Sequence, residues 1–497
     1  MFFHLSQSVG SGKTQAVLEY IRDNFDRAYL YVAPTLSLCE EVYVRLSLAL
    51  VNEQEAIRAG LVERVVSGDD LGPVLPRAMR VIANTTRQQR GVVIVTETTF
   101  RNLLRSLSKD LKSKLSVFVD EGMQPLQSVE FRPQNQGDFL QYFDQDDKGF
   151  ISPKKGCEAL IEDVAFRPKK LGERQLGHLK IEEFVEICSL VASGNYDVFL
   201  MRSDKAIMAV AILSPQQMFE FRSVTLMVAI FEQTLLPVFW QQRYGIDFEA
   251  FDIGVELYDT HLMKGPDISI SYLLHDTDNA SKHNLYSNYE TGSPNERDWH
   301  KQVICLAARA VANACENIAY CWAANNNFDD PEDILNVNRM PVRSAGMDVF
   351  KNFDTVVSLV CINPTPWVKT AIQQIFEVED EKLYDLWRLS HTYQTIGRCS
   401  LRLRKSDRKI HLIVISRRCA EQLSNIFVGS VISGQLSPTP SLTKLRQQNR
   451  QGKRTYSGAE NKAYSVYKKR AKAGGKLALD KERWYEEIRA INVANEG

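Results

Sequence analysis

Apolar runs of six residues, separated by stretches of helical periodicity, mark the first part of the chain. They are Ala28–Ala33, Gly91–Thr96 and Leu115–Asp120, and they lack the strict polar alternation of a half-exposed strand. Such runs are typical of parallel strands that are buried on both faces of a sheet. Lys13–Arg22 and Leu36–Leu50 have the spacing of helices. The pattern therefore predicts an α/β fold built on a doubly wound parallel sheet.

A second series of the same kind predicts a second α/β lobe. Its expected helix and strands are Asp298–Asn313, Ile268–Leu274, Asn317–Ala323, Thr355–Cys361 and Lys409–Ser416. Residues 134–195, by contrast, are charged and irregular, which predicts a partly helical insertion in the first lobe. The sheet pattern of the first lobe returns at Ala206–Leu213 and Ser223–Ala229. The expected units are a first lobe at 1–240, a second lobe at 241–435 and a basic C-terminal extension at 436–497.

Composition and charge narrow the function only slightly. The 61 basic side chains balance 61 acidic ones, so any attraction to nucleic acid must come from local charge. Nine cysteines without a C-x-x-C pair are typical of reduced intracellular thiols rather than of a metal site. No run approaches the ~18 apolar residues of a membrane span, and no signal peptide precedes the first motif. We expect a cytoplasmic protein, or a nuclear one in a eukaryotic host, without a membrane partner.

The clearest chemical motif is SVGSGKT, which lies between a short apolar run and a predicted helix. This is the context of a phosphate-binding loop, although Gln7 stands where the full motif begins with glycine. The two glycines allow backbone N–H groups to face phosphate, and the helix adds its positive N-terminal end. Lys13 would neutralise phosphate charge, and Thr14 would offer its hydroxyl to Mg²⁺. The residues expected to bind the nucleotide are Ser8, Val9, Gly10, Ser11, Gly12, Lys13 and Thr14.

Two acids, Asp120 and Glu121, follow directly from the apolar run that begins at Leu115. Parallel strands present their carboxyl ends at one edge of the sheet, so both acids are expected beside the phosphate loop. Asp120 would then hold Mg²⁺ together with Thr14, and Glu121 would activate the attacking water. The pairing of this acidic strand end with the upstream loop predicts a site that hydrolyses ATP with Mg²⁺.

Five segments resemble, in order, the motifs of superfamily-two helicases of the DExH/DEAD type. They are Leu30–Val42 for motif Ia, Ile94–Phe100 for Ib, Phe118–Met123 for II, Ser344–Val357 for V and Tyr393–Arg402 (YQTIGRCSLR) for VI, and Val224–Glu232 stands where motif III would fall. The likeness extends over about residues 3–420, and its loose motifs and compact start are typical of a phage, plasmid or viral helicase. It implies two RecA-like lobes with ATP bound between them.

The resemblance also implies roles for single residues. Gln394 and Arg398 would reach the γ-phosphate from the second lobe, with Arg398 as the arginine finger. The implied catalytic residues are Glu121, Gln394, Arg398 and Arg402, the implied nucleotide contacts in motif V are Gly346 and Asp348, and the implied nucleic-acid contacts are Pro34, Thr35 and Thr96.

Several positions depart from the resembled motifs. Motif III normally reads Ser-Ala-Thr, and Val228, Ala229 and Ile230 stand there instead. Leu401 occupies the place of the second motif VI arginine, and Arg402 comes one residue later. One residue is ~100° of rotation on an α-helix, so Arg402 can serve only where the local turn differs. With little sequence before the phosphate loop we expect no upstream adenine-reading segment, and the nucleotide preference stays open.

The C-terminal extension is locally basic. Residues 440–479 hold eleven Lys or Arg against one acid, Glu460, and tyrosines interleave with the basic residues. Basic groups neutralise phosphates, and aromatic rings stack on bases. The pattern predicts contacts with nucleic acid through Lys468, Lys469 and Arg470, and a solvated tail without a ligand is the alternative reading.

Together these motifs predict an ATP-dependent helicase or translocase that acts on DNA in preference to RNA, with a replication or recruitment protein as a further partner. Two alternatives stay open. A viral packaging ATPase shares the loop and the acidic strand end, but it carries a nuclease domain with clustered carboxylates, and the sequence contains no such cluster. A degenerate helicase fold that serves as a nucleic-acid-binding scaffold or origin-recognition subunit fits the altered motif III and Leu401.

Overall fold

The computed structural model describes most of the chain. The described residues are 1–50, 60–68, 72–132, 136–167, 182–203, 206–255, 257, 267–278, 280–291, 299–325, 328, 334–335, 337–342, 349–403, 408–436, 441–446, 463–469 and 484.

The helices and strands of these residues are numbered in chain order. The strands are β1 Phe2–His4, β2 Ala28–Ala33, β3 Val62–Val65, β4 Gly91–Thr96, β5 Leu115–Asp120, β6 Leu126–Phe131, β7 Phe143–Gln145, β8 Phe150–Pro153, β9 Tyr196–Arg202, β10 Ile207–Leu213, β11 Ser223–Met227, β12 Glu249–Ala250, β13 Asp267–Tyr272, β14 Tyr320–Ala324, β15 Thr355–Leu359, β16 Lys409–Val414 and β17 Val431–Gln435. The helices are α1 Lys13–Asp23, α2 Leu36–Ala49, α3 Val74–Gln88, α4 Glu97–Ser106, α5 Lys109–Lys112, α6 Gly137–Leu140, α7 Glu158–Phe166, α8 Glu182–Ser193, α9 Leu235–Tyr244, α10 Lys282–Leu285, α11 Val303–Ala314, α12 Pro366–Phe376, α13 Asp380–Ile396 and α14 Arg417–Ile426.

The first lobe is built on a parallel sheet with the strand order β12-β1-β11-β5-β2-β4-β3. Its central strands β2, β4 and β5 have the bounds that their apolar runs predicted, and β2 and β5 are buried along their whole length. Helices lie on both faces, because side chains at alternate positions of one strand belong to different cores: Leu30 packs in one cluster and Tyr31 in another. This is the doubly wound arrangement that the sequence predicted.

An antiparallel sheet interrupts the first lobe between β5 and β11, with the order β6-β10-β9-β8-β7. It extends from Leu126 to Leu213 and therefore differs from the insertion expected at residues 134–195. The apolar run Ala206–Leu213 was expected to return to the first sheet. It forms the second strand of the inserted sheet instead. This strand resembles a parallel one because both of its faces are buried: Val210 packs on the first lobe, and Ala209 packs under the inserted helices.

The second lobe is a parallel sheet with the order β14-β15-β16-β13-β17. Helix α11 covers one face, where Val311 packs with Val357, and helices α13 and α14 cover the other, where Val356 packs with Leu423. The chain is therefore an α/β protein with two RecA-like doubly wound parallel-sheet lobes and an insertion in the first. No helix in the described ranges is long and apolar enough to cross a membrane.

Two helices of the second lobe pack on the first lobe. The ring of Phe376 at the end of α12 stacks on Phe239 of α9, with the centroids 4.0 Å apart and the planes at 10°. Ile372 and Leu383 join the same buried cluster as the first-lobe strands. This apolar contact holds α13 against the first lobe, and α13 is the helix that leads to the predicted motif VI.

Candidate nucleotide-binding site

The loop between β1 and α1 forms a cradle at the carboxyl edge of the first sheet. Gly10 and Gly12 have φ values of 74° and 85°, in the left-handed region that favours glycine. A Cβ on Gly10 would lie 2.9 Å from Cγ of Arg402, so the close approach of the second lobe also requires glycine there. The cradle is therefore shaped by both lobes.

Lys13, the first residue of α1, extends its amine back over the loop. Its Nζ donates to the carbonyl oxygen of Ser8 at 2.8 Å and to that of Gln7 at 3.0 Å. Removal from water lowers the pKa of Lys13 to about 8, although Asp120 and Glu121 act in the opposite direction. The amine is thus a half-buried cation whose bonds to neutral carbonyls an anionic ligand can replace.

Asp120 lies at the end of β5 and is almost fully buried. Its Oδ2 accepts a hydrogen bond from the Thr14 hydroxyl at 2.9 Å and another from the Tyr31 hydroxyl at 2.5 Å. Burial and the neighbouring charge of Glu121 raise the pKa of Asp120, and the two hydrogen bonds act against that shift. The structure thus brings together the two residues that the sequence analysis assigned to Mg²⁺, and it adds Tyr31.

Glu121 has a left-handed backbone conformation, with φ 62°, and its N–H donates to the Met227 carbonyl oxygen at 3.0 Å. A non-glycine residue in this region is uncommon, and here the turn directs the carboxylate away from the strand. Glu121 Oε1 accepts a hydrogen bond from Nη2 of Arg398 at 2.8 Å. A residue of the second lobe thus pairs with the acid at the end of β5.

Arg398 and Arg402 enter the site just after α13. The α-helix ends at Ile396, and a 3-10 turn covers Ser400–Arg402. Leu401 is 2% exposed and packs in the second-lobe core, whereas Arg402 lines a cavity between the lobes together with the phosphate loop. The local turn therefore differs from an α-helix, as Arg402 requires if it is to serve one residue later than in the resembled motif.

The phosphate loop also touches α13 directly. The Val9 N–H donates to the hydroxyl of Tyr393 at 3.2 Å, and Val9 packs in the second-lobe core. Gly397 lies so close to Val9 that a Cβ there would overlap the valine side chain. Through these contacts the end of α13 lies directly against the cradle.

The charged side chains described above line a cavity of about 540 Å³ between the lobes. Its lining includes every cradle residue from Val9 to Thr14, both acids of the strand end, and side chains of the second lobe. The second-lobe side chains are Lys351, Gln394, Arg398, Arg402 and Leu403. Ser8 adjoins the cavity through its carbonyl contact with Lys13.

A second cleft of about 260 Å³ shares Glu121 and Gln394 with the nucleotide cavity. Pro34 and Thr35 line it, opposite Trp387 of α13. Thr35 and Thr96 are helix N-caps, because their hydroxyl oxygens accept the N–H of Leu38 and Thr99. Of the three nucleic-acid contacts that the resemblance implied, two therefore lie in this cleft, and Thr96 is not among the residues that line it.

Part of the predicted site lies outside the described residues, namely Gly346, Asp348 and Arg470. Lys468 and Lys469 are described and exposed, in a helical segment at 463–469. The rings of Tyr464 and Tyr467 pack on Trp484, with centroids 5.4 and 5.7 Å from it. These tyrosines thus form a small aromatic cluster rather than a row of free faces.

The altered motif III is apolar in its contacts as well as in its sequence. The close approach of Val228 explains Gly122, since a Cβ on that glycine would lie 2.7 Å from the valine Cγ2. A polar contact to this segment comes from Ser6, whose hydroxyl accepts the N–H of Phe231 and donates to Glu232 at 2.8 Å. No sequence motif marks this serine.

Tyr31 and Tyr393 were also missed by sequence reasoning. Both are fully buried, and a buried tyrosine hydroxyl generally needs a partner. Tyrosines within otherwise apolar segments were the available signal, but their partners are far away in the chain.

No group of three or more His, Cys, Asp or Glu suited to hold a metal exists in the described part of the chain. A cation held by one carboxylate, a hydroxyl and phosphate oxygens needs no such group.

No protein-family model matches the chain, and no curated protein matches its sequence. Among solved structures, it is similar to an XPD helicase, with 11% identity over 87% of this chain and 96% of that one and a TM-score of 0.43. It is also similar to S. cerevisiae Dbp5 bound to RNA and ADP BeF3, with 12% identity, 90% and 88% coverage and a TM-score of 0.33. The Mycobacterium smegmatis helicase Lhr, bound to ssDNA and AMP-PNP, has 12% identity, 87% and 47% coverage and a TM-score of 0.31. These are likenesses of fold.

Proposed function

We propose that the protein is an ATP-driven motor of the helicase type, which hydrolyses ATP between its lobes and moves along a nucleic-acid strand. The observation that carries the proposal is that Lys13 of the first lobe and Arg398 of the second line one cavity. A cation from each lobe at one phosphate-binding loop suits a reaction that is coupled to movement of the lobes.

The residues present fit ATP and Mg²⁺. The left-handed glycines of the cradle expose backbone N–H groups, and Lys13 supplies the charge for phosphate oxygens. Thr14 and Asp120, already joined by a hydrogen bond, are the donor set expected for Mg²⁺. The Nε of Arg398 is buried and has no hydrogen-bond partner among the described residues, so it is a donor that an anion would satisfy.

In the proposed mechanism Glu121 and Arg398 first hold each other and then separate. When bound, ATP and Mg²⁺ supply an electrophilic phosphorus and neutralise the charge on its oxygens. Arg398 leaves Glu121 for the phosphoryl oxygens, which frees the Glu121 carboxylate to accept the proton of the attacking water. Gln394, which faces both clefts, orients that water. An arginine in this role typically contributes ~10³–10⁵ in rate.

The proposed movement of the second lobe against the first depends on the contacts of α13. The end of this helix contacts the cradle through Tyr393 and Val9, and Arg398 follows directly after it. When Arg398 exchanges Glu121 for phosphate, the second lobe therefore shifts against the first. The cleft with Pro34 and Thr35, on the far side of Glu121, is the proposed strand contact. Lys468 and Lys469 of the extension add phosphate contacts.

The test is ATP hydrolysis by the full chain with and without single-stranded DNA or RNA, together with displacement of a labelled strand. Wild type should hydrolyse ATP faster with a strand, and Lys13→Ala should abolish hydrolysis under both conditions. Lys154→Ala, at an exposed lysine of the insertion, is the matched control and should behave as wild type. Strand-independent hydrolysis would contradict the motor, and strand binding without any hydrolysis would instead support the scaffold.

A further inference from the structure

Tyr31 of β2 places a buried hydroxyl against Asp120, the carboxylate of the proposed cation site. Its side chain is fully buried, and it lies on the same face of the strand as Tyr29, as the two-residue period requires. The Tyr31 hydroxyl donates to Oδ2 of Asp120 at 2.5 Å, whereas the Tyr29 hydroxyl donates to the carbonyl oxygen of Asn24 at 2.8 Å. Two similar tyrosines thus serve different partners.

Two donors from separate elements fix the Asp120 carboxylate. Thr14 holds Oδ2 from the first turn of α1, and Tyr31 holds the same oxygen from β2. Strands β2 and β5 are paired in parallel, with Tyr31 opposite Phe118, so the phenol reaches the carboxylate from within the sheet. A carboxylate held through one oxygen by two donors presents its other oxygen in a fixed direction.

We infer that Tyr31 is a positioning residue that sets the affinity of this site for its divalent cation by fixing the Asp120 carboxylate. The inference rests on the proposed function, in which Asp120 serves Mg²⁺. With Thr14 alone, Oδ2 of Asp120 can pivot about a single donor, whereas a second donor from another direction restricts rotation of the carboxylate about the Cβ–Cγ bond. Partners that orient a metal-binding side chain typically contribute on the order of 10-fold to 100-fold in metal affinity or activity.

The test compares Tyr31→Phe with Tyr29→Phe in the full chain. Both variants remove one buried hydroxyl from the same face of the same strand and leave the ring in place. Binding of a fluorescent ADP analogue is measured in EDTA and then as a function of Mg²⁺ concentration. Tyr31→Phe should need ~10-fold or more Mg²⁺ for half of its effect, with unchanged affinity in EDTA. Tyr29→Phe should follow wild type.

Superimposable Mg²⁺ titrations of Tyr31→Phe and Tyr29→Phe would overturn the inference. So would an equal loss of binding in EDTA and in Mg²⁺, because a general disturbance of the lobe affects both. A second measurement places Tyr31→Phe in an Asp120→Asn background, where it should have no further effect on the Mg²⁺ requirement. If wild type itself shows no Mg²⁺-dependent nucleotide binding, the proposed function fails, and this result is distinct from failure of the Tyr31 role alone.

Discussion

The guanidinium of Arg398 and the carboxylate of Glu121 lie 2.8 Å apart across the cleft between the lobes. Arg398 is 3% exposed, so its charge is largely withdrawn from water. A buried charge that loses its partner is costly, and a group that draws Arg398 away must therefore replace the carboxylate. In the proposed mechanism a phosphoryl group does so. The pair would then link the occupancy of the cavity to the relative position of the lobes.

Glu121→Gln should keep an oxygen acceptor for Arg398 while removing the proposed base. Hydrolysis is expected to fall by ~10²–10⁴, the usual contribution of general base catalysis, with nucleotide affinity nearly unchanged. Steady-state hydrolysis and equilibrium binding of an ATP analogue measure the two effects separately. Glu130→Gln, at an exposed acid of the insertion bonded to Arg132, is the control. Full activity of Glu121→Gln would exclude it as the base.

Gly397→Ala should displace the phosphate loop. Its Cβ would overlap the side chain of Val9 and lie 3.0 Å from the carbonyl oxygen of Tyr393. Overpacking of this kind typically costs ~1–3 kcal/mol, and here the cradle has to move as well. We expect weaker nucleotide binding and a lower melting temperature. The double variant Val9→Ala/Gly397→Ala should recover part of the affinity, because the overlapped methyl group is gone while Cβ of residue 9 still lies 2.9 Å from the new Cβ. If the affinity does not recover, the close approach of Gly397 to Val9 is not the reason for the effect of Gly397→Ala.

Phe376→Ala should loosen the second lobe from the first. Its ring stacks on Phe239 in an apolar contact between the lobes, and removal of a buried Phe typically costs ~3–5 kcal/mol. Chemical denaturation measures the loss of stability. Phe219→Ala truncates a phenylalanine that is 55% exposed and should cost much less. If the two variants unfold alike, the lobes are not held together at this contact.

Lys468→Gln/Lys469→Gln should reduce the salt dependence of strand binding. Each phosphate contact contributes ~0.7 to the slope for single strands, so the loss of both should lower its magnitude by about 1.4. Fluorescence anisotropy of a labelled oligonucleotide across salt concentrations gives this slope. Lys154→Gln/Lys155→Gln makes the same charge change at exposed residues of the insertion. If the salt dependence of binding has the same slope in both double variants, Lys468 and Lys469 do not contact the strand.

The sequence predicted the two parallel sheets well, because each central strand carries its own signal. Ala28–Ala33 and Leu115–Asp120 were located to the residue, since strands buried on both faces are largely apolar. The same rule gave the wrong sheet for Ala206–Leu213, which is also buried on both faces but within an antiparallel insertion. Periodicity reports burial, and it does not report which sheet a strand joins.

The candidate site was predictable only as far as its motifs are local. Lys13 and Asp120 each stand at the junction of a strand with a loop or helix, and the parallel-sheet rule brings such junctions to one edge. The bonds of Tyr31 to Asp120 and of Tyr393 to Val9 join residues 89 and 384 positions apart. Neither pair has a sequence pattern, because these contacts depend on how the sheet and the lobes pack.

Single-turnover hydrolysis by Arg398→Ala tests the central claim most directly. Nucleotide affinity is measured in parallel, and Arg408→Ala, outside the cavity, is the control. We expect Arg398→Ala to bind ATP but to hydrolyse it at a rate ~10³-fold or more below wild type. Unchanged hydrolysis by Arg398→Ala would contradict the account, because the second lobe would then contribute no charge to the reaction.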